Sequence, residues 1–346
     1  MKINTRSIGP DAPPYVIAEL SANHNGNIDQ AFAIMEAAKA AGADAIKIQT
    51  YRPDTITIDH DSPEFTIKGG LWDGQRLYDL YEWAHTPWDW HAALFEKARA
   101  LDITLFSSPF DHTAVDLLEE LNAPAYKIAS FELVDLPLIR RVAATGKPMI
   151  MSTGMANEAE IAEALEAARG AGADELILLH CVSGYPAPAS DYNLATMADM
   201  ATRFGVMIGL SDHTLDNTAA IASVGLGAVA LEKHVTLDRN GGGPDDSFSL
   251  EPAELAQLVQ GARTAWEAKG KVDYTLKSSE MGNAQFRRSL YVVADIPAGG
   301  VLSADNIRSI RPGFGLAPKH YDAVLGRRVK TALTRGTALS LDVLED

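Results

Sequence analysis

The chain has 346 residues, of which 47% are hydrophobic and 22% are charged, and its formal net charge is −16 at pH 7. This acidic balance argues against nucleic-acid binding, because contact with a phosphate backbone needs a surplus of clustered Lys and Arg. The length exceeds that of most single hydrophobic cores, so we expect one large domain and a second, small one.

The location of the protein is predicted from three features. No apolar run approaches the length that crosses a bilayer, and the start MKINTRSIGP lacks the apolar core of a signal peptide. Cys181 is the single cysteine, which excludes an internal disulfide framework. We therefore expect a cytoplasmic protein without membrane attachment.

Eight short apolar runs recur along the chain, and most are separated by Ala-rich segments with helical spacing, such as 30–44 and 158–174. Strand and helix alternating eight times predict an α/β fold, the (β/α)8 TIM barrel. In that fold the carboxyl ends of the strands build the active site, so the polar residues that finish each run are candidates. The runs are 15–19, 45–50, 103–109, 125–130, 148–153, 176–183, 206–212 and 229–234.

Two parts of the chain depart from this repeat. Residues 51–90, between the second and third runs, form a long insertion with four of the five tryptophans, Trp72, Trp83, Trp88 and Trp90. We expect the insertion to wall the substrate site, although single tryptophans in it could simply pack it onto the barrel. After the barrel domain (1–270) and a polar linker (271–285), residues 286–346 alternate in short runs broken by Pro and Gly, which predicts a small β-rich domain.

Two histidines, His213 and His234, follow the seventh and eighth runs, which are neighbours in a closed barrel. Two imidazoles at adjacent strand ends can share a divalent metal and leave positions open for water and substrate. The alternative is that both are structural. Glu232 shares the face of His234, so we expect it to support the metal site or contact the substrate.

Two lysines interrupt apolar strands, Lys47 in the second run and Lys127 in the fourth, and Gln49 shares the face of Lys47. A lysine is costly to bury unless something negative meets it. A clamp for phosphate and carboxylate groups satisfies this condition, with hydroxyls from Ser108, Ser130, Ser183 and Ser211. Structural ion pairs with Glu19 and Glu132 are the alternative, and Schiff-base chemistry on one lysine is a third interpretation.

Three further residues are candidates by position. Glu19 ends the first run and is the best-placed carboxylate for proton transfer or for orienting a hydroxylated substrate. Asp245 lies in the glycine-rich segment 238–249, which can approach a ligand closely or form an ordinary turn. Cys181 alternates with Ser183 and could face the barrel interior, and we interpret it as buried packing.

The strand-end motifs resemble those of the sialic acid synthases, which condense phosphoenolpyruvate with an amino sugar. The resemblance covers residues 1–270, and residues 287–315 resemble the C-terminal antifreeze-like (SAF) domain of the same family. It rests on ELSANHNG (19–26), GADAIKIQTY (42–51), AYKIASFE (125–132), LLHCVSGYPAP (178–188), GLSDHT (209–214), EKHVTLD (232–238) and GPD (243–245).

Within that family, residues 70–90 resemble the pseudaminic acid synthases. This resemblance implies that phosphoenolpyruvate and 2,4-diacetamido-2,4,6-trideoxy-L-altrose give pseudaminic acid and phosphate. A legionaminic acid or N-acetylneuraminate synthase remains an alternative, with the same chemistry on a different sugar. A further alternative is a protein that binds a sugar without catalysing a reaction.

The resemblance also implies roles for individual residues. It implies that His213 and His234 hold a divalent metal, manganese before magnesium or cobalt. Arg311 matches an arginine that the family's small domain inserts into the partner's barrel, which implies a domain-swapped homodimer. The residues implied to bind phosphoenolpyruvate are Lys47, Lys127, Ser130, Ser108, Ser211 and Ser183, and those implied to face the sugar or the reacting centre are Glu19, Glu132, Asp245, Gln49 and Tyr185.

Overall fold

The computed structural model describes residues 1–345 and divides into two compact units, Met1–Gly270 and Lys271–Asp346. The segment 271–285, predicted as a linker, belongs to the second unit and includes the 3-10 helix Ser278–Phe286. Within residues 1–345, no helix has both the length and the apolar character needed to cross a membrane.

The first unit is a closed barrel of eight parallel strands, and the predicted TIM barrel is confirmed. Each of the eight predicted runs contains one strand. The last strand pairs with the first, with Ala230 opposite Tyr15 and His234 opposite Glu19, which closes the barrel. The strands are β1 (Tyr15–Glu19), β2 (Ala45–Thr50), β3 (Thr104–Pro109), β4 (Tyr126–Ile128), β5 (Met149–Ser152), β6 (Leu176–Cys181), β7 (Met207–Ser211) and β8 (Ala230–His234).

Helices surround this barrel and follow the Ala-rich segments of the sequence. Helix α1 begins after Asn27, whose side chain accepts a hydrogen bond from the Asp29 amide, and it ends at Gly42, where φ is +89°. The helices of this unit are α1 (Ile28–Ala41), α2 (Pro53–Ile56), α3 (Leu77–Ala84), α4 (His91–Ala100), α5 (His112–Glu120), α6 (Leu136–Ala143), α7 (Glu158–Gly170), α8 (Thr196–Phe204), α9 (Thr218–Gly225) and α10 (Pro252–Lys269).

Two apolar layers follow from the alternation of side chains along each strand. One layer faces the helices and includes Val16 and Ile46. The other fills the barrel interior and includes Ile17, Phe106 and Ile150. The apolar residues of the interior layer lie toward the amino ends of the strands. The interior-facing residues that follow them lie at the carboxyl ends, and these residues are polar.

Gly209 shows how tightly the interior is packed. A Cβ atom at this position would lie 2.3 Å from the carbonyl oxygen of Ala230 and 2.6 Å from a methyl group of Leu179. Strands β7 and β8 therefore approach closely only because Gly209 has no side chain. This approach places the ends of these two strands, which lead into His213 and His234, side by side.

The second unit is built around an antiparallel pair, β9 (Ser289–Val292) and β10 (Ile307–Ile310), with helix α11 (Tyr321–Val324). Its small core contains Leu290, Val292, Ile296, Leu302, Ile307, Val324, Val329, Leu333, Leu339 and Leu344. The prediction of a compact β-rich domain after the barrel is confirmed.

Candidate active site

The polar residues of the strand ends meet on the interior face at the carboxyl end of the barrel. Alternation explains this placement, because Glu19 follows Tyr15 and Ile17 on one face of β1, and Lys127 follows Ala125 on β4. All of them are buried. They are Glu19, Lys47, Ser108, Lys127, Ser152, Ser211, Glu232 and His234.

A network of two lysines and two carboxylates forms the floor of this site. The Nζ atom of Lys47 lies 3.0 Å from Oε2 of Glu19 and 3.6 Å from Oε1 of Glu232. The Nζ atom of Lys127 lies 3.2 Å from the same oxygen of Glu232. Glu232 is therefore shared by both lysines, and its role is more central than the sequence predicts.

Of the two ion pairs that the sequence suggests as an alternative, Lys47 does pair with Glu19, whereas Lys127 pairs with Glu232 and not with Glu132. The carboxylate partner of Lys127 is Glu232, from a strand across the barrel, whereas Glu132 lies in the 3-10 helix Ser130–Val134 directly after β4. One oxygen of Glu132 is buried without a hydrogen-bond partner among residues 1–345. Glu132 therefore has no ion pair with the two lysines, although it lies only five residues after Lys127 in the chain.

The carboxylates of the site have different affinities for protons. Burial disfavours the charge on Glu232, but the two lysines outweigh it and hold the pKa of its carboxyl below the usual range. Burial raises the pKa of Glu19, against the opposing charge of Lys47, and raises the pKa of Glu132 to about 7. Glu232 is therefore a fixed negative charge, Glu132 can exchange a proton near neutral pH, and Glu19 holds a proton more strongly than an ordinary carboxyl group.

The pKa values of the two lysines also shift in opposite directions. Burial lowers the pKa of Lys127. For Lys47 burial acts in the same direction, but Glu19 and Glu232 outweigh it and raise the pKa above the usual value. Lys47 is thus the more firmly charged of the two cations that could meet an anionic substrate.

The hydroxyl groups predicted for the anion clamp surround these lysines. Lys47 donates to Oγ of Ser108 at 3.3 Å, and Ser211 donates to Glu232 at 3.2 Å. Ser130 and Ser183 meet at Gly154, where an added Cβ would lie 2.3 Å from Cβ of Ser130 and 2.8 Å from Oγ of Ser183. Gly154, with φ of +39°, leaves room for both hydroxyls.

One residue near this clamp, Ser152, is missing from the sequence-based candidates. Ser152 ends β5 on the same face as Ile150, and its buried Oγ has no hydrogen-bond partner within residues 1–345. Its position at the end of the fifth apolar run could have identified it. Ser183 also has an unpartnered buried hydroxyl. Free buried hydroxyls at this place are donors for a ligand, because buried polar groups are normally paired.

Ser21 connects the remaining candidates. Gln49 donates to Oε1 of Glu19 at 2.9 Å and to Oγ of Ser21 at 3.0 Å, and Ser21 in turn donates to Asp245. Ser21 has a φ of +47°, a left-handed conformation that is strained for residues other than glycine. Ser21 lies two residues after Glu19, and this spacing is the signal that could have found it.

The two histidines face each other at the ends of β7 and β8. Their ring centres are 5.4 Å apart, and the ring of Tyr185 lies 4.4 Å from His213 and 6.2 Å from His234. Nδ1 of His213 lies 2.8 Å from the carbonyl oxygen of Val182. If Nδ1 donates this hydrogen bond, Nε2 keeps a free lone pair, which is the usual orientation of a metal-binding imidazole.

The residues present fit a partial metal site. Nδ1 of His234 is buried without a hydrogen-bond partner and lies 3.6 Å from Oδ2 of Asp245. Burial lowers the pKa of His234 well below its usual value, so the imidazole is in the neutral form that binds cations. No group of three or more His, Cys, Asp or Glu side chains is arranged to hold a metal among residues 1–345. Water or substrate would have to supply further ligands.

Cys181 lies beside the histidines. Its sulfur is 4.0 Å from Nδ1 of His213, and the side chain is buried on the interior face of β6. The predicted burial of this cysteine is confirmed. Its contact with His213 was not predicted from the sequence.

One tryptophan of the insertion reaches the site. The indole nitrogen of Trp72 donates to the carbonyl oxygen of Pro244 at 3.1 Å, and its ring centre lies 5.7 Å from that of Tyr185. Trp88 instead stacks under the guanidinium group of Arg52, and Trp90 packs against the barrel core. The insertion therefore contributes Trp72 to the wall of the site, while Trp90 packs it onto the barrel.

Arg311 is placed outside the barrel unit. It follows β10 directly and its side chain is exposed. The structure thus brings together the predicted site residues of the barrel. Arg311 is a surface residue of the second unit.

A closed α/β barrel with buried lysines, carboxylates and histidines at the carboxyl ends of its strands has the architecture of an enzyme. The model described as NeuB family matches residues 34–274, and the model of the SAF domain matches residues 287–345. The chain belongs to the NeuB family, and its second unit is a SAF domain. The resemblance inferred from the strand-end motifs is confirmed.

Relatives of this chain match over nearly their whole length. It is 42% identical to pseudaminic acid synthase of Helicobacter pylori over 96% of this chain and 98% of the relative. It is 33% identical to N,N'-diacetyllegionaminic acid synthase of Legionella pneumophila over 96% of this chain and 94% of the relative. Among solved structures, N-acetylneuraminic acid synthetase of Leptospira borgpetersenii superposes with a TM-score of 0.74 at 29% identity, covering 83% of this chain and 95% of that one.

Proposed function

We propose that this enzyme joins phosphoenolpyruvate to 2,4-diacetamido-2,4,6-trideoxy-L-altrose and releases pseudaminic acid and inorganic phosphate. The observation that carries the proposal is the pair of buried lysines, Lys47 and Lys127, at the same barrel mouth as His213 and His234. The 42% identity to a protein named pseudaminic acid synthase, over 96% of this chain, supports the choice of sugar.

The anionic substrate binds over the lysine network. The protein as a whole is acidic, so the positive charges of Lys47 and Lys127 attract phosphoenolpyruvate locally. Its phosphate group meets these lysines together with Ser108, Ser130 and Ser211, and Ser183 donates one further hydrogen bond. Glu232 remains ionised and holds both ammonium groups in place.

His213 and His234 would hold a divalent metal, manganese before magnesium or cobalt. Such an ion, when bound, supplies Lewis-acid polarisation of the sugar's aldehyde oxygen. Asp245, Gln49 and Tyr185 lie around the histidines and bind the sugar on that side.

The reaction forms one carbon–carbon bond and one carbon–oxygen bond to water, and it breaks the carbon–oxygen bond to phosphate. Carbon 3 of phosphoenolpyruvate attacks the aldehyde carbon of the open-chain sugar, and positive charge develops at carbon 2. Water adds at carbon 2 and loses a proton to a carboxylate, and the former aldehyde oxygen takes up a proton to become a hydroxyl group. The bond from carbon 2 to the phosphate oxygen then breaks, carbon 2 becomes a carbonyl, and its hydroxyl proton leaves with the phosphate. Glu19 and Glu132 stabilise the transient cation when ionised, and their raised pKa values allow either to take the proton of the water.

The sugar is selected by the aromatic wall beside the histidines. Trp72 and Tyr185 present aromatic surface there, and this surface suits the deoxy methyl group and the acetamido methyl groups of the proposed sugar. A legionaminic acid synthase is the second candidate, since this chain is 33% identical to such a relative over 96% of its length.

Phosphate release from phosphoenolpyruvate tests the proposal. With manganese present, we expect release with the altro-configured diacetamido sugar and at least roughly tenfold slower release with its legionaminic counterpart and with N-acetylmannosamine. The Trp72→Ala variant is expected to reduce this discrimination, because it removes aromatic surface from the sugar wall.

The outcomes of this assay separate the alternatives. Release with another sugar alone would keep the chemistry and reject the proposed substrate. Saturable sugar binding without release of phosphate would favour a binding protein and reject the enzyme reaction. Trapping of pyruvate on a lysine by borohydride would favour the Schiff-base mechanism.

The metal proposal is tested with His213→Ala and His234→Ala. We expect both variants to lose activity by roughly 100-fold or more, because each removes one of two imidazole ligands. Chelation of the parent enzyme should abolish turnover, and added manganese should restore it only in the parent. Full activity of the parent in chelator, with its metal content measured as nil, would contradict the proposal.

We further propose that the SAF domain inserts Arg311 into the barrel of a partner subunit, in a domain-swapped homodimer. The support is the family resemblance of the RPGFG segment and the exposed position of Arg311. The arginine would meet the sugar, and the dimer would complete each active site. The cytoplasmic location inferred from the sequence stays a prediction.

Mixing two inactive variants tests this arrangement. If Arg311 acts on the partner's barrel, hybrid dimers of Arg311→Ala and Lys127→Met each contain one intact site, so mixing should restore about a quarter of the parent activity. Each variant alone serves as the control. Failure to recover activity, with hybrid dimers demonstrated by mass spectrometry, would show that Arg311 acts on its own barrel or not at all.

A further inference from the structure

The residues that precede the two histidines form a buried ion pair on the far side of the strands. Lys233 precedes His234 and Asp212 precedes His213. The Nζ atom of Lys233 lies 3.0 Å from Oδ2 of Asp212, and the side chains of both are about 1% exposed. Because successive side chains of a strand point to opposite faces, this pair lies on the helix side, away from the barrel interior.

Lys233 binds the whole segment that carries His213. Besides Asp212, its ammonium group donates to the carbonyl oxygens of Thr214 at 2.7 Å and Asp216 at 2.6 Å. These three acceptors flank His213 on both sides along the chain. An ammonium group has three protons, so this segment alone can satisfy it completely.

The same segment is held by bonds from its other groups. The Asp212 amide donates to the carbonyl oxygen of Glu232 at 2.9 Å, and Oδ1 of Asp212 accepts from the Thr214 amide at 2.9 Å. The His213 amide donates to the hydroxyl of Tyr192 at 2.6 Å. The segment 212–216 is therefore held by one buried cation on β8, by the Asp212 carboxylate and by hydrogen bonds of the backbone and of Tyr192.

We propose that Lys233 is a positioning residue that fixes His213 relative to His234 for a divalent cation, an inference that rests on the proposed metal site. Lys233 cannot touch the cation, since its side chain points away from the histidines. It acts by tying the segment after β7 to the strand that carries His234. A shift of this segment would change the distance between the two imidazoles, which cation binding requires to be constant.

Binding of Mn²⁺ alone, measured by electron paramagnetic resonance, tests this role. In Lys233→Met, which keeps most of the side-chain length and removes the charge, we expect the Kd for Mn²⁺ to rise roughly tenfold to 100-fold. The Kd for phosphoenolpyruvate, measured by calorimetry without metal, should change less than roughly threefold, because Lys47 and Lys127 are untouched. This split distinguishes positioning from general loss of structure.

Lys147→Met is the matched control. Lys147 pairs with Glu119 at 2.6 Å just before β5, at the opposite end of the barrel strands, so the substitution breaks an ion pair away from the histidines. We expect it to keep the parent Kd for Mn²⁺. If Lys233→Met does not fold, Asp212→Asn removes the paired charge and keeps an acceptor for Thr214, and a roughly threefold to tenfold rise in Kd is expected.

A folded Lys233→Met protein with the parent Kd for Mn²⁺ would overturn the inference. If the parent binds no Mn²⁺, the metal proposal fails by itself, and hydrogen exchange then decides the role of Lys233. Faster exchange of residues 212–216 in Lys233→Met than in Lys147→Met supports the positioning role, and equal exchange overturns it.

Discussion

The site depends on the sharing of one buried carboxylate, Glu232, by two buried lysines. Burying a charge is costly, and loss of one partner of a buried ion pair typically destabilises a protein by about 3–5 kcal/mol. Glu232 lies 3.6 Å from Nζ of Lys47 and 3.2 Å from Nζ of Lys127, so a single group orients both lysines and counters the effect of burial on their charge. This fixed arrangement of charges is what the proposed binding of an anionic substrate requires, because preorganised groups need little rearrangement when a ligand enters.

Strand alternation connects this chemistry to the scaffold. On β8, Glu232 and His234 face the interior, while Lys233 between them faces the helices and ties down the segment of His213. Three consecutive residues therefore belong to the lysine network, to the bonds that hold segment 212–216 and to the histidine pair. Gly209 on the neighbouring strand permits the close approach of β7 and β8 on which this arrangement depends.

Much of the molecule could be predicted from the sequence, because each strand of the barrel is a compact apolar run and active-site residues follow such runs. The carboxylate partner of Lys127 could not, since it depends on the register of strands across the closed barrel. Ser21 and Ser152 were missed because a serine after a strand is common. Only the folded structure shows that Ser21 joins Gln49 to Asp245 and that the buried hydroxyl of Ser152 has no partner among residues 1–345. The role of Trp72 depends on the path of the insertion, which composition does not determine.

Calorimetric titration of phosphoenolpyruvate into the Lys127→Met variant tests the central claim most directly, since the account assigns the substrate's phosphate to the paired lysines. The account predicts binding weaker by roughly 100-fold than in the parent, as expected when one partner of a buried charge contact is truncated. Lys147→Met, which loses an ion pair at the other end of the barrel, should bind like the parent. Unchanged affinity in a folded Lys127→Met protein would contradict the account and place the anion elsewhere.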